Sequence, residues 1–197
     1  MPTDPSTILI RLAHAADIPA ILEISNHAAL SSPANFATEP ELLDDWLRAW
    51  RDTHEKHPWL IACNAQERII GFAKTSPWKG RCAYRWAVET TVYIAPGFQG
   101  QGIGRALYAK LFPLLRAQGY HSAIAGITQP NEPSVRLHES FGMKRVALFE
   151  RIGWKFNAWH DVGYWLVELG TPTEPIAIRT VAEALAECPL MAETRRA

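Results

Sequence analysis

Four stretches of this 197-residue chain carry residue types whose spacing suits chemistry. The first is "VYIAPGFQGQGIGRALYAKL", residues 92–111, where Gln99-x-x-Gly102-x-Gly104 separates an apolar, strand-like run from a helix-like run. Small residues let a backbone approach a ligand closely. Their amides, with the helix N-terminus behind them, can hold a pyrophosphate without a lysine. The same glycines would also serve a plain turn that packs a helix on a strand. A dinucleotide fingerprint requires glycine at its sixth position, which is Arg105 here, and an acid about 20 residues on. Neither that acid nor the Gly-Lys-Ser/Thr of a P-loop is present. The second stretch is "WAVETTVYI", which sets Glu89 among apolar and threonine residues. Such an acid is either an ordinary exposed strand residue or a base facing a cleft. The third is "NEPSVRLHES", with Asn131 placed to start a short helix that carries His138. The fourth is "PWKGRCAY", a loop with Lys79, Arg81 and Tyr84. Two cations without nearby acids suit a small anionic ligand, and they equally suit a solvated basic surface.

Other chemistries are disfavoured. Cys63, Cys82 and Cys188 are odd in number and lack metal spacing and paired bases, so they read as inert thiols in a reduced cytoplasm. His14, His27, His54, His57 and His121 show no metal spacing either, and no metal is expected. Lysine plus arginine equals aspartate plus glutamate, 20 each, which argues against a nucleic-acid groove or an anionic membrane surface. No run reaches the roughly 18 apolar residues of a membrane span, and "MPTDPSTILI" lacks a signal peptide's basic n-region.

Strands and helices alternate in the elements that must position these residues. "TILIRLA", "WLIACN", "RIIGFAKTS", "WAVETTVYI", "HSAIAGI", "KRVALFERIG" and "DVGYWLVEL" read as strands. "DIPAILEISNHAAL" and "ELLDDWLRAWRDTHEKH" are amphipathic helices, the second with Leu42, Trp46 and Trp50 on one face. "IGRALYAKLFPLLRAQG" is a helix closed by Gly119, which Pro113 is expected to kink or shorten. Residues 1–169 are expected to form one domain. Residues 170–197, with their prolines and terminal charges, read as a loosely attached tail with one helix at 180–188.

The Gln-x-x-Gly-x-Gly loop, the asparagine-led helix and the "FGM" that ends it resemble the acetyl-CoA site of the GCN5-related N-acetyltransferase (GNAT) superfamily. "NFATEP" (35–40), "PWKGRCAY" (77–84), "VETTVYI" (88–94), "QPNEPSVRLHES" (129–140) and "WHDVGYW" (159–165) are similar, more narrowly, to phosphinothricin N-acetyltransferases. These stretches run in family order from about residue 8 to 168. The resemblance implies an α+β fold: a twisted, mostly antiparallel sheet of about seven strands, helices on both faces, and a splay between strands 4 and 5. It implies that acetyl-CoA lies in that splay. Its pantetheine arm would pair with Val92, Tyr93 and Ile94, and its pyrophosphate would sit on Gln99, Gly100, Gln101, Gly102, Ile103, Gly104 and Arg105. Asn131 and Ser134 complete the implied cofactor set.

The implied reaction is acetyl transfer to the α-amine of a small acidic amino-acid analogue, such as phosphinothricin or methionine sulfoximine or sulfone. Glu89 is then the base that deprotonates the amine. His138 stands where many relatives carry a tyrosine, and would protonate the thiolate or assist deprotonation. Phe36, Lys79, Arg81, Tyr84, Tyr93 and Val162 would bind the acceptor. Arg85 departs from the acid expected in "AYDW" and leaves the substrate open. The resemblance also implies a homodimer and resistance to the herbicide phosphinothricin. A silent acetyl-CoA sensor and an acetyltransferase for another small amine are the alternatives.

Overall fold

The computed structural model describes residues 8–170 and 174–187. Among these residues the order is β1 (Leu9–Leu12), α1 (Ile18–Ser31), α2 (Leu43–Thr53), β2 (Trp59–Cys63), β3 (Ile69–Pro77), β4 (Ala87–Ile94), α3 (Ile103–Gln118), β5 (Ser122–Gln129), α4 (Glu132–Glu139), β6 (Lys144–Lys155), β7 (Ala158–Glu168) and α5 (Val181–Glu187). The strands form one sheet in the order β1-β2-β3-β4-β5-β7-β6. Every pairing is antiparallel except β4 with β5.

Strand alternation divides the core between the two faces of the sheet. Val88 packs with Leu107, Leu111 and Leu115 of α3. Tyr93 and Phe72 lie on the opposite face with Ile21 of α1 and Trp46 of α2. β2 is buried along its whole length because helices cover it on both sides.

The helices differ from expectation in two places. Pro113 does not shorten α3, which runs without interruption from Ile103 to Gln118. Leu111, Phe112, Leu114 and Leu115 are all buried beside it, and their packing outweighs one lost backbone hydrogen bond. Leu42 is not part of the buried stripe of α2. It is the N-cap residue and is exposed, while Trp46 is buried.

The last hairpin is longer than its apolar runs suggest. Phe156 and Asn157, with φ of 48° and 57°, form the turn between β6 and β7. Two successive left-handed residues match the twist of a tight hairpin, but no glycine marks the place.

The helix expected at 180–188 forms at Val181–Glu187. Val181 and Ala184 pack on Leu114, and the Gln118 side chain donates to the carbonyl of Arg179. Upstream, Trp86 Nε1 donates to the Ile176 carbonyl at 2.6 Å. Residues 174–187 thus dock along the end of α3.

Candidate active site

β4 and β5 pair only through Ala87–Ser122, Val88–Ala123 and Glu89–Ile124. Both strands continue beyond that point, to Ile94 and Gln129. The splay therefore opens at Glu89, and the β4 edge beyond it has no strand partner on that side. A cleft of about 300 Å³ occupies the gap. It is lined by residues 90–94 of β4, Gly126, Ile127 and Thr128 of β5, and Gln99, Asn131, Ser134 and His138, with α1 forming its far wall.

The glycine loop stands at one end of this cleft. Gly100 and Gly102 adopt φ of 76° and 78°, and a Cβ on either would meet no protein atom within 4 Å. Gly102 is the N-cap of α3, and no side chain caps the first turn. The first amides of that turn have no intrahelical acceptor, which is what an anion-binding helix N-terminus requires. Gln99 and Gln101 brace the loop by bonding Gly97 and Ile94 backbone. Gly104 has another role: its missing Cβ admits Leu137 of α4, whose Cδ2 would lie 3.0 Å away. Asn131 caps α4 by accepting from the Ser134 amide.

His138 is buried beneath the cleft. Its Nδ1 lies 2.7 Å from the Ser134 carbonyl. A carbonyl only accepts, so Nδ1 carries the proton and Nε2 accepts. The Tyr108 hydroxyl, 2.9 Å away, donates to Nε2. Thr90 Oγ1 lies 3.3 Å from that hydroxyl and donates to the Ile124 carbonyl across the fork. Burial holds the imidazole neutral by lowering its pKa, and burial raises that of Tyr108 well above the ordinary tyrosine range.

A second cavity of about 300 Å³ adjoins the fork. Glu89 lines it together with Phe36, Lys74, Tyr93, Val162 and Tyr164. Burial raises the Glu89 carboxyl above its ordinary pKa, and the charges of Lys79 and Lys74 oppose that rise. A raised carboxylate is the stronger base. Burial pushes the Tyr93 phenol up to about 12. Its hydroxyl donates to the Ala34 carbonyl and ties the α1–α2 loop to β4.

That loop is held from the hairpin side as well. The buried Lys155 ammonium donates to the carbonyls of Ala29, Ser32 and Asn35. Lys155→Met is expected to leave these groups without a donor and to lower stability by about 2–3 kcal/mol. Denaturant unfolding checks this, and an unchanged midpoint contradicts it. Gly153 of β6 admits the Phe36 ring, since a Cβ there would lie 2.3 Å from it. Gly153→Ala should displace Phe36 from the cavity wall. If Phe36 walls the acceptor as the resemblance implies, steady-state kinetics should show the acceptor KM raised several-fold with the acetyl-CoA KM unchanged, and an unchanged acceptor KM contradicts it.

The expected acceptor residues divide. Phe36, Tyr93 and Val162 meet at the second cavity. Lys79, Arg81 and Tyr84 line neither cavity and are exposed on the loop after β3, although the charge of Lys79 reaches Glu89. Arg85 also stays local, stacking on Trp86 and donating to the Cys82 carbonyl. Sequence reasoning passed over Lys74, Tyr164, Glu41 and Thr90, and read Trp46 only as packing. Strand alternation puts Lys74 on the Phe72 face, but the β3–β4 register that sets it near Glu89 is a tertiary fact. His27, which shows no metal spacing, lines the cleft. Among the described residues no group of three or more His, Cys, Asp or Glu side chains could hold a metal ion. No helix among them is long and apolar enough to cross a membrane.

The model of the acetyltransferase (GNAT) family matches residues 21–143. The phosphinothricin N-acetyltransferase of Streptomyces viridochromogenes is 40% identical over 174 residues, covering 88% of this chain and 94% of that protein. The L-methionine sulfoximine/L-methionine sulfone acetyltransferase of Salmonella typhimurium is 33% identical, covering 85% of this chain and 98% of that protein. Among solved structures, a GNAT superfamily phosphinothricin acetyltransferase from Sinorhizobium meliloti in complex with AcCoA superposes with a TM-score of 0.82. It is 32% identical, with 86% of this chain and 94% of that one covered. A parallel pair that parts at Glu89, an uncapped glycine N-terminus beside the gap and these kinships agree: the chain belongs to the GNAT family of acetyltransferases.

Proposed function

We propose that this enzyme transfers the acetyl group of acetyl-CoA to the α-amine of a small acidic amino-acid analogue of the phosphinothricin or methionine sulfoximine/sulfone type. The observation that carries the reading is the position of Glu89, at the fork where the cofactor cleft meets the second cavity. Acetyl-CoA held in the cleft supplies an acyl group activated as a thioester. The amides of residues 100–105 would hold its pyrophosphate, and the open β4 edge at residues 92–94 its pantetheine. Asn131 and Ser134 shape the slot.

Glu89 takes the proton from the acceptor ammonium. An α-ammonium has a pKa of about 8 and cannot attack while protonated. A β4 amide near Val92 or Tyr93 would donate to the acyl oxygen as it becomes negative. His138 and Tyr108 form the proton-holding pair on the cofactor side. A buried tyrosine is a weak acid, and a thiolate of pKa about 8.5 departs readily, so this pair contributes less than Glu89. Transfer is direct: Cys63 is buried with a raised pKa, and exposed Cys82 has no base in its own motif. Phe36, Tyr93 and Val162 wall the acceptor. Lys79, Arg81 and Tyr84 line its approach, where exposed charges mainly raise the encounter rate.

Turnover of phosphinothricin would underlie resistance to that herbicide. A homodimer is supported by edge strand β6 and its partner β7, which expose Val146, Phe149, Ile152, Trp154 and Trp159. The free thiols Cys63 and Cys82 suit the cytoplasm. A screen of amino acids and their analogues for release of CoA thiol tests the reading. Phosphinothricin or a methionine sulfone-type acceptor should give the highest kcat/KM. Turnover confined to amines without a carboxylate would overturn it.

A further inference from the structure

Lys74 stands in the acceptor cavity with the carboxylates of Glu41 and Glu89 acting on it through space, neither of them in direct contact with its ammonium. Its Nζ lies 4.3 Å from the Trp46 ring centroid and 4.5 Å from that of Trp59. The two indoles are buried and meet edge to face at 89°, so the slot is rigid. Indole faces attract a cation but accept none of its hydrogen bonds in the ordinary sense. All three ammonium donors therefore remain. Among the described residues no carboxylate forms an ion pair with Lys74, and no acceptor hydrogen-bonds it. Glu41 lines the same cavity yet does not close on it. A largely buried ammonium with no acceptor in direct contact gains from an anionic ligand group that reaches it, and Lys74 lines the cavity that Glu89 also lines.

The sheet fixes the spacing of the two groups. Glu89 pairs with Ser76, and Lys74, two residues along β3, pairs with Thr91 on the same face. Diagonal neighbours on one face of an antiparallel pair stand roughly 7–8 Å apart. One small amino acid can span that interval, with its amine at Glu89 and a side-chain anion at Lys74. Lys79 and Arg81 are exposed and line neither cavity, so a contact they make with a ligand discriminates less than one inside the cavity.

We infer that Lys74, held between Trp46 and Trp59, reads the anionic side-chain group of the acceptor and gives this enzyme a preference for acceptors that carry one. The inference rests on the proposed acetyl transfer and deepens it. It is tested with two acceptors that share an α-amine and an α-carboxylate: phosphinothricin, whose side chain is anionic, and methionine sulfone, whose side chain is polar but uncharged. In Lys74→Met the phosphinothricin KM should rise roughly tenfold or more. The KM values for methionine sulfone and acetyl-CoA should stay near those of the unaltered enzyme, which also shows that the variant is folded. Lys74→Gln, which keeps a polar head without charge, should lose as much as Lys74→Met. An equal rise for both acceptors, no rise for either, or a Gln variant with the original preference would overturn the inference alone. Failure of the unaltered enzyme to acetylate either acceptor would overturn it together with the proposed acceptor class.

Discussion

Glu89→Gln is expected to lower kcat by about 10²–10⁴-fold, the usual contribution of a positioned general base. Glutamine keeps the volume and the hydrogen-bonding oxygen at the mouth of the fork, so packing around Val88 and Thr90 is undisturbed. It cannot take a proton from an ammonium. Burial raises the Glu89 carboxyl, and Lys79 and Lys74 restrain the rise. The carboxylate form, the one that accepts a proton, is therefore lost as pH falls through this raised pKa. In the variant, catalysis depends on the small fraction of acceptor amine already deprotonated, which grows toward its own pKa of about 8. Acetyl-CoA affinity should change little, because the cleft that would hold the cofactor is lined by other residues. His138→Ala should have a smaller effect on kcat than Glu89→Gln, because a thiolate departs without much help.

Gly102→Val is the second large effect, and it acts on binding. Gly102 sits at φ 78° as the N-cap of α3. A β-branched residue in the left-handed region is strained by about 1–2 kcal/mol, which a domain of this size survives. A Cβ there meets no protein atom within 4 Å, so the fold itself does not forbid it. The side chain would instead stand over the uncapped amides of the first turn. A hydrogen bond to a charged group is worth about 1.5–3 kcal/mol, and loss of one or two should weaken acetyl-CoA binding about 10–100-fold. Calorimetry checks this, and an unchanged Kd would remove the loop from the pyrophosphate site. Gly104→Val should act differently, because its Cβ would press on Leu137. Its main loss should be in stability.

What was legible in the sequence was local. Gly100 and Gly102 announce themselves because left-handed backbone at a strand-to-helix turn favours glycine. Glu89 stands out as one acid in an apolar strand, and Asn131 as a helix cap. What was hidden depends on pairing across the chain. Lys74 reads as one more residue of β3 until the register with β4 and the stack on Trp46 and Trp59 are known. Tyr108 reads as part of the buried stripe of α3, yet it bonds His138, 30 residues on. Lys155 is an unremarkable hairpin lysine until the ends of α1 and its loop close on it. Pro113 does not shorten α3 because the propensity argument concerns an isolated helix, whereas packing of Leu111, Phe112, Leu114 and Leu115 sets its length in the folded chain. The turn at Phe156 and Asn157 lacks the glycine that usually marks a tight hairpin. The Lys79 and Arg81 loop stands out in the sequence by its charge, whereas Lys74, which lines the cavity beside Glu89, does not.

Release of CoA thiol with phosphinothricin as acceptor, measured for the unaltered enzyme and for Glu89→Gln from about pH 6 to 9, tests the central claim most directly. The unaltered enzyme should be faster by at least about 10²-fold near neutrality, and the gap should narrow steadily toward high pH as the amine deprotonates unaided. Equal rates at neutral pH, or a gap that does not change with pH, would contradict proton removal by Glu89 at the fork of β4 and β5.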